Sequence, residues 1–164
     1  MPVPPAIEMR EVNVPRSELD ALAQSPVLFD ALVGEDEQAC VFVKTVTVDD
    51  PGVAQQRITS RWPHHLPGEL VIGLTGQAAC IALYRLGLID PSWRGHGVRI
   101  VDARFPAPVL LGERFFTRVD IVRARRLLGS LHVRLRYRMW KHDAAGAEIE
   151  TYTSTQDAIF FPGD

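Results

Sequence analysis

Residues 69–87, ELVIGLTGQAACIALYRLG, constrain the fold more than any other stretch of the chain. They read as one helix that stops at Gly87, a residue type favoured just past a helix C-terminus. The segment is apolar nearly all round, which is the pattern of a helix buried inside a domain. A membrane span is excluded, because the run from Leu70 to Leu88 is broken by Gly73, Gly76, Gln77, Tyr84 and Arg85. Interior glycines cost roughly 1 kcal/mol each relative to Ala. Gly73 and Gly76 therefore predict a close backbone approach, by a sheet or by a ligand.

A helix of this kind needs a surface that wraps it, and the flanking sequence reads as strands. Upstream, CVFVKTVTV (40–48) ends at Asp49-Asp50-Pro51-Gly52, a strand followed by a turn, and VAQQRITS (53–60) completes a hairpin. Downstream come four long strands, 97–105, 113–126, 131–140 and 147–161, separated by Pro or Gly turns. In 131–140 the alternation is strict: Leu131, Val133, Leu135, Tyr137 and Met139 face one way, and His132, Arg134, Arg136 and Arg138 the other. The proline-rich residues 1–16 are expected to form an extended arm. Ser17 opens a helical segment over 17–34, broken near Pro26 and ended at Gly34. The expected architecture is α+β with one antiparallel sheet, in a single domain over 1–164.

Charge narrows the function classes. Eighteen basic residues against 20 acidic ones leave a formal net charge of −2, so no general attraction draws the chain to nucleic acid or an anionic membrane. The start of the chain lacks a basic region followed by a long apolar stretch, so a cytoplasmic location is expected. Two cysteines, Cys40 and Cys80, sit in apolar runs and are too few for a disulfide framework. No spacing of His, Cys, Asp or Glu fits a metal site, and no phosphate loop or nucleophile elbow is present. Neither metal nor cofactor is expected.

The residues able to do chemistry cluster around the start of the helix. His64 and His65 stand in a proline-flanked loop, and imidazole suits proton transfer near neutrality. Gln77 is an amide within an apolar helix and must find partners, either backbone groups or a substrate and its water. An amide is neither general acid nor general base, so proton transfer falls to a histidine or to Glu69. Glu69 in the first helical turn is also favoured simply by the helix dipole. Thr75 either bonds back to a helix carbonyl or faces a ligand. Trp62, Trp93 and Tyr84 read as packing residues. Arg123, Arg125 and Arg126 with Arg134, Arg136 and Arg138 form a basic sheet face. That face is either neutralised by acids such as Glu148 and Glu150 or open to phosphates.

The buried helix between strands, together with Phe105-Pro106-Ala107-Pro108-Val109-Leu110-Leu111-Gly112-Glu113, resembles the hotdog fold and the F-x-x-P-V-x-x-G-E/D passage of hotdog enzymes. Over 38–161 the resemblance implies one long antiparallel sheet wrapped around a central buried helix. His65-Leu66-Pro67-Gly68 is similar to the H-F-P-G opening of 3-hydroxyacyl-carrier-protein dehydratases, which carry Glu or Asp about where Gln77 stands here. The longer stretch from His65 through Val71-Ile72 to Gly76-Gln77-Ala78-Ala79 resembles fatty-acyl thioesterases of the FcoT type, in which Asn stands at the Gly76 position. The resemblance implies an enzyme acting on acyl thioesters of coenzyme A or acyl carrier protein, assembled as a homodimer or dimer of dimers. Within it, thioester hydrolysis comes first. Dehydration or another lyase reaction at the β-carbon, or a non-catalytic acyl-binding module, is the alternative. The implied roles are His65 (or His64) as base, Gln77 as positioning residue and a backbone N–H at Gly73 or Gly76 on the thioester oxygen. Arg134 and Arg136 would bind coenzyme A or a carrier protein.

Overall fold

The computed structural model describes residues 9–163. The chain runs β1 (Arg10–Pro15), α1 (Arg16–Ala23), β2 (Ala31–Glu35), β3 (Ala39–Thr45), α2 (Gly68–Arg85), β4 (Arg94–Arg104), β5 (Arg114–Leu127), β6 (Ser130–His142) and β7 (Glu148–Phe161). All seven strands join one sheet of order β1-β2-β3-β5-β6-β7-β4, and every pairing is antiparallel. The four long strands and the helix fall where the sequence placed them. Gly87 terminates the helix region at φ +68°, a left-handed conformation that glycine tolerates.

The strict alternation of β6 sets which face is which. Leu131, Val133, Leu135, Tyr137 and Met139 are all buried and meet Leu74, Ala78, Ile81 and Ala82 of α2 in one core. Beside them β3 contributes Phe42 and β5 contributes Phe115 and Val119, again on alternate positions. On β4, Gly95 pairs with Phe160, and a Cβ at Gly95 would lie 2.3 Å from the Phe160 ring. Only glycine lets that ring lie across the strand.

Three expectations are corrected. Residues 53–60 form no strand: both edges of β3 are taken, by β2 and β5, which leaves no place for a hairpin partner. Instead Asp50 folds this segment into turns. Its Oδ2 accepts the Thr47 N–H at 2.8 Å and its Oδ1 lies 2.6 Å from the buried Lys44 Nζ. The helical segment over 17–34 is in fact a helix that stops at Ala23, then strand β2, because Asp20 Oδ1 draws in the Val27 N–H at 2.6 Å and turns the chain. Residues 1–8 of the expected arm lie outside the described residues, while Arg10–Pro15 pair with β2 as an edge strand.

The third correction concerns α2 itself. It is not buried all round: Glu69, Gly73 and Gly76 are exposed along one face, and a Cβ at either glycine would meet nothing within 4 Å. The close approach expected at these glycines is not made by the chain's own sheet, which packs on the opposite face of the helix.

Candidate active site

The loop before α2 is pinned in place by backbone bonds. Leu66 N–H donates to Val109 O at 2.8 Å and Leu111 N–H to His64 O at 2.9 Å, so the 64–66 segment runs beside 109–111. The proline-rich passage that carries the family resemblance is thus the physical support of the histidine loop. Gln56 adds a further tie, its Oε1 accepting the His65 N–H at 2.9 Å.

This arrangement sets the His65 side chain. Its Nδ1 lies 3.0 Å from Pro63 O. A carbonyl only accepts, so in the neutral ring Nδ1 carries the proton and Nε2 keeps the lone pair. His65 lines a cavity of about 390 Å³ whose walls include Leu66, Val71, Val109, Met139 and Tyr152. Gly68, the first residue of α2, lines it too. The first N–H groups of a helix have no carbonyl one turn back, and the dipole is positive there. At the rim stand Trp62 and Phe105, 66% and 52% exposed. Trp62 is therefore a rim residue, not the packing residue the sequence led us to expect.

Gln77 lies elsewhere. With Gly73, Gly76, Cys80 and Tyr84 it lines a second cavity of about 230 Å³ between α2 and the 23–27 segment. Helical rise alone separates Gly68 from Gln77 by about 13.5 Å along the axis. Within one chain the structure does not bring His65 and Gln77 together. Gln77 Oε1 accepts the Leu28 N–H at 2.9 Å, which orients the amide and leaves its NH₂ as the free donor. Gly73 and Gly76 are interior to α2, where each N–H is engaged by the carbonyl four residues back. Glu69 is exposed in the first turn and is absent from the residues lining the His65 cavity. The His64 ring borders the same loop, with its buried Nδ1 unpartnered.

Thr75 faces the sheet. Its hydroxyl donates to Ile72 O at 2.7 Å and accepts from Gln156 Nε2 at 3.0 Å. Gln156 also reaches Ser154 Oγ at 3.2 Å and Tyr152 Oη at 3.4 Å, forming a polar cluster between α2 and β7. Both cysteines are poor nucleophiles: burial pushes the Cys40 thiol up to about 12, and it also raises that of Cys80.

The basic sheet face divides in two. Arg134 is engaged by Asp157 through two bonds of 2.7 and 3.0 Å, and Arg138 is paired with Glu148 and Glu150. Arg136 instead lines a groove of about 530 Å³ on the outer face of the sheet, with Arg104, Arg118 and Arg138 and with the carboxylates of Asp102 and Asp120, the latter paired with Arg118. Sequence reasoning missed Thr151 and Tyr152 in the His65 cavity. Nothing in the run AEIETYTSTQ marks them, because their placement depends on a β-bulge: Met139 pairs with Tyr152 and Trp140 with Glu150, which leaves Thr151 as the extra residue.

One antiparallel sheet curled over a single central helix, with a loop at the helix start and a cavity beneath it, is the hotdog fold. Among solved structures the chain is similar to a thioesterase family protein of Silicibacter pomeroyi, with TM-score 0.61 and 18% identity over 88% of this chain and 95% of that one. It is similar also to the dehydratase heterocomplex of Xenorhabdus doucetiae, with TM-score 0.56 and 14% identity over 84% of each chain. A third similarity is to a hypothetical thioesterase of Streptococcus pneumoniae solved with coenzyme A, with TM-score 0.53 and 11% identity over 77% of this chain and 83% of that one. No protein-family model matches the chain. No curated protein matches it either.

Proposed function

We propose that the protein hydrolyses acyl thioesters of coenzyme A or acyl carrier protein, in the cavity at the N-terminus of α2. The observation that carries this reading is the His65 ring, held by Pro63 O with its Nε2 lone pair free beside an apolar cavity and a helix N-terminus. Water, placed by His65 Nε2, attacks the thioester carbonyl carbon as its proton passes to the imidazole. The oxygen of the tetrahedral intermediate is stabilised by first-turn N–H groups of α2, in place of Gly73 or Gly76. The C–S bond then breaks, and the imidazolium returns the proton to the leaving thiolate. The apolar walls hold the acyl chain, and Arg136, which among the described residues is in no ion pair, is a guanidinium of the outer groove left to meet phosphate.

The same site supports hydrolysis over dehydration. Among the described residues, no carboxylate lines the His65 cavity, so the second acid that β-elimination calls for is missing there. The test is a mass-spectrometric screen of the purified chain against saturated, 3-hydroxy and enoyl thioesters. Release of free acid and thiol is expected. Interconversion of 3-hydroxyacyl and enoyl thioesters would establish the lyase, and binding without turnover an acyl-binding module.

Open strand edges support assembly into a homodimer, or a dimer of dimers. β4 pairs only with β7, and its free edge carries Val98 and Ile100, 56% and 46% exposed. An open strand edge of this length presents unpaired backbone groups and is a pairing surface.

A further inference from the structure

The lining of the His65 cavity is uneven. Leu66, Val71, Val109 and Met139 shape it, yet none of the four is more than 6% exposed. The apolar surface open to a ligand belongs to the mouth: Trp62 and Phe105, each more than half exposed, with Pro106 and Pro108 beside them. Large apolar side chains exposed together around one cavity mark a ligand groove.

Both rings are held where they stand. Trp62 closes a reverse turn with Thr59, the two residues exchanging backbone N–H···O bonds of 3.1 and 3.2 Å. The Thr59 hydroxyl also accepts the Trp62 N–H at 3.1 Å. Phe105 is backed by the Tyr152 ring, with centroids 4.9 Å apart and planes inclined at 57°. A Cβ at Gly68 would lie 3.9 Å from Phe105 Cε1, so the ring leans over the first residue of α2. Among the described residues the Trp62 indole stacks on no other aromatic ring.

The place of Phe105 relates it to the reacting carbonyl. The first-turn N–H groups of α2 hold the thioester oxygen in the reading above, and Phe105 lies against the residue where that turn begins. The part of the acyl group nearest the carbonyl carbon therefore meets the ring-lined mouth. A straight chain needs reachable channel wall for its methylenes and gives up rotational freedom to lie along it. The buried residues here offer it little surface. A flat ring needs only the open faces and edges of other rings, and gains from them beyond the area it buries.

We infer that the substrate's acyl group carries an aromatic ring one or two bonds from the thioester carbonyl carbon, with Trp62 and Phe105 as the specificity-determining residues that pack on it. This rests on the acyl-thioester reading above and refines it: the preferred substrate is an aroyl or arylacetyl thioester, not a long-chain one.

The test is calorimetric binding of unreactive thioethers, S-benzyl- and S-(2-phenylethyl)-coenzyme A, each beside its cyclohexyl and straight-chain counterparts of equal carbon count. Wild type should bind at least one aryl thioether about tenfold more tightly than both counterparts. The straight chains are the more apolar compounds, so burial of apolar area alone predicts the opposite order. Trp62→Leu and Phe105→Leu should each cut the aryl-to-alkyl ratio about threefold or more, and Trp62→Phe, which keeps a ring, should retain most of it. Trp62 is exposed, so its variants should melt close to wild type and keep the test readable if Phe105→Leu fails to fold. Hydrolysis of butyryl- and benzoyl-coenzyme A is followed alongside. Equal binding of aryl, cyclohexyl and straight-chain thioethers, with either thioester still hydrolysed, overturns this inference alone. An aryl preference that survives unchanged in Trp62→Leu does the same. Failure of wild type to bind any thioether or hydrolyse either thioester overturns the acyl-thioester reading and this inference with it.

Discussion

Gln77, midway along α2, accepts on its side-chain carbonyl the backbone N–H of Leu28, 49 residues earlier, at 2.9 Å. This bond ties the central helix to the segment between α1 and β2 and satisfies a part-buried donor. Gln77→Ala should therefore destabilise the fold by about 1–2 kcal/mol, since it leaves that N–H unpaired. Gln77→Glu keeps an acceptor in place and should stay within about 0.5 kcal/mol of wild type. Urea unfolding followed by circular dichroism measures both, and an unaltered midpoint for Gln77→Ala would show that water replaces the amide.

His65→Ala should lower kcat on the best thioester about 10²–10⁴-fold, the usual worth of general acid–base help. The loop stays formed because its ties to 109–111 are backbone bonds, so the melting temperature should hardly change. Full activity after replacement of both His65 and His64 would place the chemistry elsewhere.

Arg134 and Arg136 should behave differently although they are two residues apart on one strand face. Arg136→Glu, in the outer groove, should raise KM for coenzyme A thioesters with little change in kcat, and the effect should shrink with salt. Arg134→Glu should leave KM unaltered, because that guanidinium is already bound by Asp157. Steady-state kinetics at two ionic strengths separates these outcomes.

Light scattering at micromolar concentration should give at least twice the 18.3 kDa chain mass. Val98→Lys or Ile100→Lys, on the free edge of β4, should shift the mass toward one chain, because charge on an open edge opposes pairing. A monomeric wild type would remove the β4 edge as an interface.

Stability should fall in acid through Glu35. The Arg85 hydrogen bond holds its carboxyl below the ordinary 4.5, against the opposing effect of burial and with help from Arg10. A carboxylate lowered in the folded state contributes stability that is fully present above the unfolded value of 4.5 and is lost as pH falls through the folded one. Glu35→Gln should cost about 1–3 kcal/mol at neutral pH. It should also flatten the decline below pH 4.5, read from denaturation midpoints across pH.

The fold was legible where the hydrophobic period was unambiguous. The apolar helix and the alternation of β6 and its neighbours place the core with no long-range knowledge, because a strand or helix that buries one face must repeat its apolar residues at that element's own period. Where short local signals compete, the pairing of distant strands decides the outcome. Ser17 and the leucines after it suggested one long helix, but Ala31–Glu35 were taken as a strand between β1 and β3. The run at 53–60 has the composition of a strand, but both edges of β3, the strand it would pair with in a hairpin, are taken by β2 and β5.

The sequence by itself determined that a histidine loop adjoins the start of the central helix, because the two are contiguous along the chain. The proline passage at 105–113 reaches that loop only through backbone bonds made in the folded sheet. Only the tertiary structure decided which groups share a cavity. It set Gln77 against Leu28 and away from His65, since helical rise separates them regardless of residue type. It neutralised Arg134 but not Arg136, because the acid that does so comes from another strand. And it brought Thr151 to the His65 cavity through one extra residue in β7, a register choice settled by cross-strand pairing and invisible to any pattern read along a single strand.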